Sequence, residues 1–162
     1  RADLVRRSRE DTDGAYPSGI HSLAIGFVRL SSITGDEAYG SYAVGIFEVQ
    51  SDMTARAPQA CATLLLAYLE YQRWHLSAVM IGPAGNDAFK SLRSSILINT
   101  VAGLIPLQLS AVHERNWPAL EGRKELSETS VLVCVDQRCL QPAHNADDFA
   151  ALLEQLNSEF KQ

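Results

Sequence analysis

The sequence predicts an α+β chain in which three antiparallel helices precede a small α/β unit. Two observations carry this expectation. Up to about residue 73 the apolar residues recur at helical spacing, in three blocks separated by short breaks. From residue 74 onward, short apolar runs bounded by Gly and Pro take over, interleaved with two further helical stripes. The predicted organisation is residues 1–73 as helical hairpins and residues 74–162 as a small α/β segment.

Ser18 is the first N-cap candidate, and Ile20, Leu23, Ala24, Phe27 and Val28 follow it as one apolar stripe. Thr34-Gly35-Asp36 ends that helix and opens the next, with Gly35 suited to the left-handed position just past a helix end. The second stripe is Tyr39, Tyr42, Ala43, Ile46 and Phe47. Pro58 suits the first turn of a third helix, whose face carries Cys61, Leu64, Leu65, Tyr68 and Leu69. Connections this short make successive helices antiparallel.

In the second half, His75 to Gly82 reads as a buried strand. Asn86 or Asp87 caps a helix running to about Thr100, and Ile105 to Val112 is the next strand. Pro106 lacks a ladder donor, so the first residues of that strand are not central. Strand, helix and strand in this order predict a right-handed βαβ unit. Residues 114–129 are polar and irregular, and Val131 to Pro142 reads as a hairpin with a cysteine on each side of its tip. Asn145 caps a last helix with the stripe Phe149, Leu152, Leu153, Leu156 and Phe160.

Composition narrows the function classes. The 162 residues are 46% apolar and 20% charged, a globular balance. A chain of this length makes one ordinary domain or two very small ones and buries roughly 70% of its unfolded surface. A net charge of −5 and a pI near 5.3 argue against nucleic acid or an anionic membrane surface as partner. Arg1, Arg6, Arg7 and Arg9 crowd the start, but Asp3 and Glu10 offset them, which reads as a solvated helix or strap. No apolar run reaches the length of a membrane span, and no secretory leader pattern is present. The opening Arg-Ala-Asp-Leu-Val reads as the middle of a helix, so the chain is expected to be a piece of a longer polypeptide. Three cysteines (Cys61, Cys134 and Cys139) are too few for a disulfide scaffold, and a reducing, cytoplasmic compartment is expected.

Several landmarks recur in a fixed order: Asp13-Gly14-Ala15 with Pro17-Ser18-Gly19, Arg29-Leu30 leading to Thr34-Gly35-Asp36, and Ala57-Pro58-Gln59. The strand Val79 to Gly82, then Val133-Cys134, Cys139, Pro142 and Leu152-Leu153 complete the set. This order resembles the C-terminal part of a family of thioredoxin-domain-containing proteins with a six-hairpin, N-acylglucosamine 2-epimerase-like toroid. The resemblance covers most of residues 10–157. It implies that the three helices are part of an α/α toroid and that the α/β unit closes the chain. It further implies a cytosolic parent protein acting on a carbohydrate or related small molecule, with this portion not catalytic by itself. The remainder of the toroid and the thioredoxin-like domain are the partners so implied. No cofactor is called for. The chain departs from the family at Ile20 and His21, where Asn-Ser is usual, and at Asp136-Gln137, where Asn-Gly is usual at the hairpin tip.

Two places carry candidate chemistry. The loop from Asp11 to Gly19, with His21, feeds a helix N-terminus. Asp11, Asp13 and His21 are residue types suited to acid/base work, and Tyr16 and Ser18 are candidate substrate contacts. The same residues also read as turn formers and a cap, the simpler account. With a two-residue tip, Cys134 faces Cys139 at a Cα separation of about 4.5 Å, at the lower end of disulfide reach. The pair is then either a redox or structural disulfide, or two small buried thiols. Its spacing is not that of a thioredoxin active site, and an alternative non-catalytic structural or interaction module follows from it. A zinc site from Cys134, Cys139, His144 and His113 lacks the close ligand pairs such sites use, so no metal is expected. Gly82-Pro-Ala-Gly85 lacks the phosphate-loop pattern, and Trp74 and Trp117 read as loop anchors. Helix faces built to be covered by the rest of a toroid would favour self-association of the isolated chain.

Overall fold

Local chemistry starts and stops each helix. The computed structural model describes residues 10–72, 76–99, 104–108, 128–135 and 138–159. Helix α1 (Gly19–Thr34) starts where the Ser18 hydroxyl accepts the His21 backbone N–H, and it ends at Gly35 with φ 71°. Only glycine adopts that left-handed turn without a steric cost, which is why the helix stops there. Asp36 then accepts the Ala38 N–H and caps α2 (Glu37–Arg56). Pro58–Cys61 forms a 3-10 turn before α3 (Ala62–Gln72), so the third α-helix begins four residues later than Pro58 indicates.

Among the described residues there are five α-helices and four strands. They divide into two compact units, 10–31 with 35–72, and 32–34 with 76–159. In the helical unit the small residues Ala24, Cys61 and Ala67 let the backbones approach around Leu64, flanked by Ile25, Ile46 and Phe47. Phe27 packs against Tyr39 and Tyr42, and Phe47 meets Tyr68 edge-on at 5.4 Å. The Arg29 guanidinium donates to both carboxylate oxygens of Glu70, at 2.9 and 2.8 Å, tying α1 to α3.

Several residues of the predicted apolar stripes are not buried. Leu23, Tyr42, Tyr68 and Leu69 are exposed, together with Val49 at 73% and Leu66 at 55%. Among the described residues each of the three helices keeps apolar side chains in solvent.

In the second unit, β1 (Leu76–Ile81) is followed by α4 (Asp87–Ile98), β2 (Leu104–Gln108), β3 (Ser130–Val135), β4 (Arg138–Cys139) and α5 (Ala146–Glu159). Asn86 caps α4 through Ala88 N–H, and Asn145 caps α5 through Asp148 N–H. The sheet order is β2-β1-β3-β4. β1 pairs in parallel with β2 across α4 and antiparallel with β3, so the sheet is mixed. Pro106 is exposed on the edge strand β2, where its missing donor costs no central ladder bond. β2 begins at Leu104, one residue before the expected start, and residues 109–112 of the expected strand lie outside the described residues.

Alternation along the strands separates two faces. Ala78, Met80, Val131 and Val133 pack with Phe89, Leu92 and Ile96 of α4 and with Phe149, Leu153 and Leu156 of α5. Val79, Ile81, Leu107, Leu132 and Cys134 form the opposite face. Both faces of β1 and β3 are buried, which explains their unbroken apolar sequences. Each fully buried Phe or Leu contributes roughly 1.5–3 kcal/mol. The Arg1–Arg9 cluster, Trp74, residues 114–127 with Trp117 and His113, the Asp136-Gln137 tip and Phe160 lie outside the described residues.

Candidate functional site

The loop before α1 is organised by one carboxylate. Asp13 Oδ1 accepts the Ser18 N–H at 2.9 Å, and Oδ2 accepts the Thr63 N–H at 2.8 Å. Thr63 lies in the first turn of α3, where backbone N–H groups have no partner within the helix. Asp13 therefore caps a helix 50 residues away while closing its own loop. Its negative charge also complements the positive end of the α3 dipole. The Asp13 N–H donates to the Ala60 carbonyl at 2.7 Å, so backbone and side chain both hold this junction.

His21 completes the arrangement. Its Nδ1 lies 2.8 Å from Asp13 Oδ1, and its side chain is fully buried. A carboxylate opposite Nδ1 makes that nitrogen a donor and fixes the orientation of the ring. Nε2 is buried and has no hydrogen-bond partner among the described residues. Burial pushes the Asp13 pKa up, but the Ser18 and Thr63 N–H groups and the His21 side chain outweigh it and hold it at about 2. The Asp13 carboxylate is thus ionised at neutral pH and committed to three partners.

The predicted loop residues separate by environment. Asp13, Ser18 and His21 come together; Ser18 is buried at 2% exposure, its hydroxyl serving as the α1 cap. Asp11 is half-buried, whereas Tyr16 is 83% exposed. The Asp–His geometry is that of an oriented general base, but Nε2 is buried among the described residues. Thr63 and Ala60 were not legible as members of this group, because both act through backbone atoms that any residue supplies.

On the hairpin, Cys134 pairs directly with Cys139 and Val135 with Arg138. The two sulfurs are joined as a disulfide, with Cα atoms 3.9 Å apart rather than the 4.5 Å expected for an opposed pair. Cys134 is buried at 1% exposure in the core, whereas Cys139 is half-buried on the edge strand β4. Bonded to each other, these sulfurs do not present thiolates to a metal, and His144 is exposed. Among the described residues no group of three or more His, Cys, Asp or Glu could hold a metal ion. The third cysteine, Cys61, is a buried free thiol in the helical core. No described helix is long and apolar enough to cross a membrane.

No family model matches the chain, and no solved structure matches it. Two curated proteins do. The chain is 26% identical over 159 residues to mouse spermatogenesis-associated protein 20, covering 95% of this chain and 20% of that protein. It is 25% identical over 158 residues to the rat protein of the same name, again covering 20% of it. The chain therefore spans about one fifth of the length of the curated relatives it matches, and it is distantly related to spermatogenesis-associated protein 20.

Proposed function

We propose that these 162 residues are the C-terminal portion of a larger protein of the spermatogenesis-associated protein 20 kind. In this reading α1 to α3 are part of a helical toroid, and the α/β unit closes the chain. The observation that carries it is the run of exposed apolar side chains on all three helices: Leu23 on α1, Tyr42 and Val49 on α2, and Leu66 and Leu69 on α3. Faces of this kind are built to be covered. A match to one fifth of a longer relative is consistent with more helices supplying that cover. The toroid, the thioredoxin-like partner domain and a carbohydrate or related small-molecule substrate come from the resemblance of the landmark sequence to the six-hairpin family. The chain itself is not catalytic in this reading; the Asp11–His21 loop is its contribution to the parent's site.

The test is the mass of the native polypeptide in its own cells, by immunoblot and intact mass spectrometry. A product several times longer than 162 residues supports the reading. A product of this length removes it, as does turnover of a sugar by this chain alone.

A specific observation favours a second reading, a non-catalytic structural module. The Asp13 carboxylate is fully used in tying the start of α1 to the start of α3, and Cys134 is bonded to Cys139. Asp13→Asn and Cys139→Ser discriminate: loss of stability with the parent's activity retained supports the module, and loss of activity with stability retained excludes it.

A further inference from the structure

The disulfide of the β3–β4 hairpin is asymmetric, and the asymmetry assigns separate roles to its two sulfurs. We infer that Cys139 is a reversible thiolation site for a small thiol, with Cys134 as the resolving cysteine. Cys134 sits among Val79, Ile81, Leu107 and Leu132, at 1% exposure. Cys139 is half-buried on a two-residue strand at the sheet edge, where it packs against the margin of the same cluster. Attack on a disulfide requires the incoming thiolate to approach one sulfur along the S–S axis, so access selects the sulfur attacked. Of the two cysteines Cys139 is the less buried, so its sulfur is the one favoured for attack.

The exchange balances without a further oxidant. An external thiolate forms a bond to Cys139 Sγ; the Cys134–Cys139 bond breaks, and its electron pair leaves on Cys134. That thiolate is released into an apolar cluster where it is poorly solvated, and it either takes a proton from water or attacks Cys139 Sγ again. Re-attack expels the small thiolate and restores the original disulfide. With Cys134 held opposite Cys139 in the ladder, return is intramolecular and fast relative to attack by a second external thiol. If a second thiolate does attack the sulfur of the bound small thiol, the products are the oxidised small thiol and the protein dithiol. The adduct on Cys139 is therefore transient in the intact hairpin and accumulates when Cys134 cannot return.

The experiment uses the full chain with glutathione and oxidised glutathione as the probes. Trypsin cleaves after Arg138 and so separates the two cysteines for peptide mapping. Cys134→Ala is expected to take up one glutathione on Cys139 from oxidised glutathione. Cys139→Ala should react at Cys134 more slowly by roughly tenfold or more, as expected when access governs exchange. In the unsubstituted protein, a brief pulse of glutathione followed by acid quenching should place the trapped mixed disulfide on Cys139. This pulse needs no substitution, so it decides the matter even where a variant fails to fold. Glutathione mapped mainly to Cys134, equal rates in the two variants, or an adduct that accumulates stably on the unsubstituted protein would each overturn the assignment.

Discussion

Substitution of Asp13 by Asn tests the reading of the loop most directly. The carboxylate accepts the Ser18 and Thr63 N–H groups at 2.9 and 2.8 Å and faces His21 Nδ1 at 2.8 Å. An amide keeps one acceptor oxygen and turns the other position into a donor, so at least one of these N–H groups faces a second donor. A hydrogen bond to a charged acceptor contributes about 1.5–3 kcal/mol, and an abandoned buried donor costs a further 1–3 kcal/mol. The expected loss is about 3 kcal/mol at neutral pH. The ionisation of Asp13 points to a similar magnitude. The Asp13 pKa falls from 3.8 in the reference state to about 2 in the fold, against the opposing effect of burial. With the folded value below the unfolded one, the ionised form stabilises the fold above pH 3.8. That contribution, about 2 kcal/mol, is lost as pH falls from 3.8 through 2. The assay is urea unfolding of both proteins at pH 6 and at pH 2, with amide exchange at Ser18 and Thr63 as the local readout. The gap between the two proteins should narrow by about 2 kcal/mol at the lower pH. A gap that stays constant, or unchanged protection of the Thr63 amide in the variant, would refute the argument that the ionised carboxylate holds both helix starts.

Other outcomes follow from the packing. Gly82 has φ 117°, and a Cβ there would lie 2.9 Å from the Thr129 Cα, so Gly82→Ala should cost about 1–3 kcal/mol in thermal or urea unfolding; an unchanged midpoint would show that the turn relaxes freely. Phe149→Ala empties a fully buried position between α5 and the sheet and should cost about 3–5 kcal/mol, whereas Tyr16→Ala, at a side chain 83% exposed, should stay within about 0.5 kcal/mol. Val49→Lys with Leu66→Lys should lower self-association of the isolated chain in sedimentation velocity without lowering its unfolding midpoint; unchanged association would show that these faces are not the adhesive ones.

The legible parts of the fold rest on short-range chemistry. Ser18, Asp36, Asn86 and Asn145 each cap the helix that follows them, because a cap is satisfied within three residues of its own side chain. Gly35 stops α1 for an equally local reason. The Cys134–Cys139 register follows from a two-residue hairpin tip. The candidate loop was half legible: its residue types were evident, but its organisation was not. Asp13 reaches Thr63 across 50 residues, through a backbone N–H that carries no sequence mark. The 3-10 turn at Pro58–Cys61 was hidden because Pro suits the start of either helix type.

By itself, then, the sequence determined the helix and strand order, the caps, the predominantly apolar strands and the distant kinship with spermatogenesis-associated protein 20, all properties of neighbouring residues or their linear order. Tertiary structure decided that β1 lies between a parallel and an antiparallel neighbour, that α4 and α5 share one face of the sheet, and that Asp13 joins two helix starts. It also decided which apolar stripe residues stay in solvent. Periodicity says which side of a helix is apolar, but burial depends on what is packed against that side, and among the described residues Leu23, Val49 and Leu66 stay largely exposed.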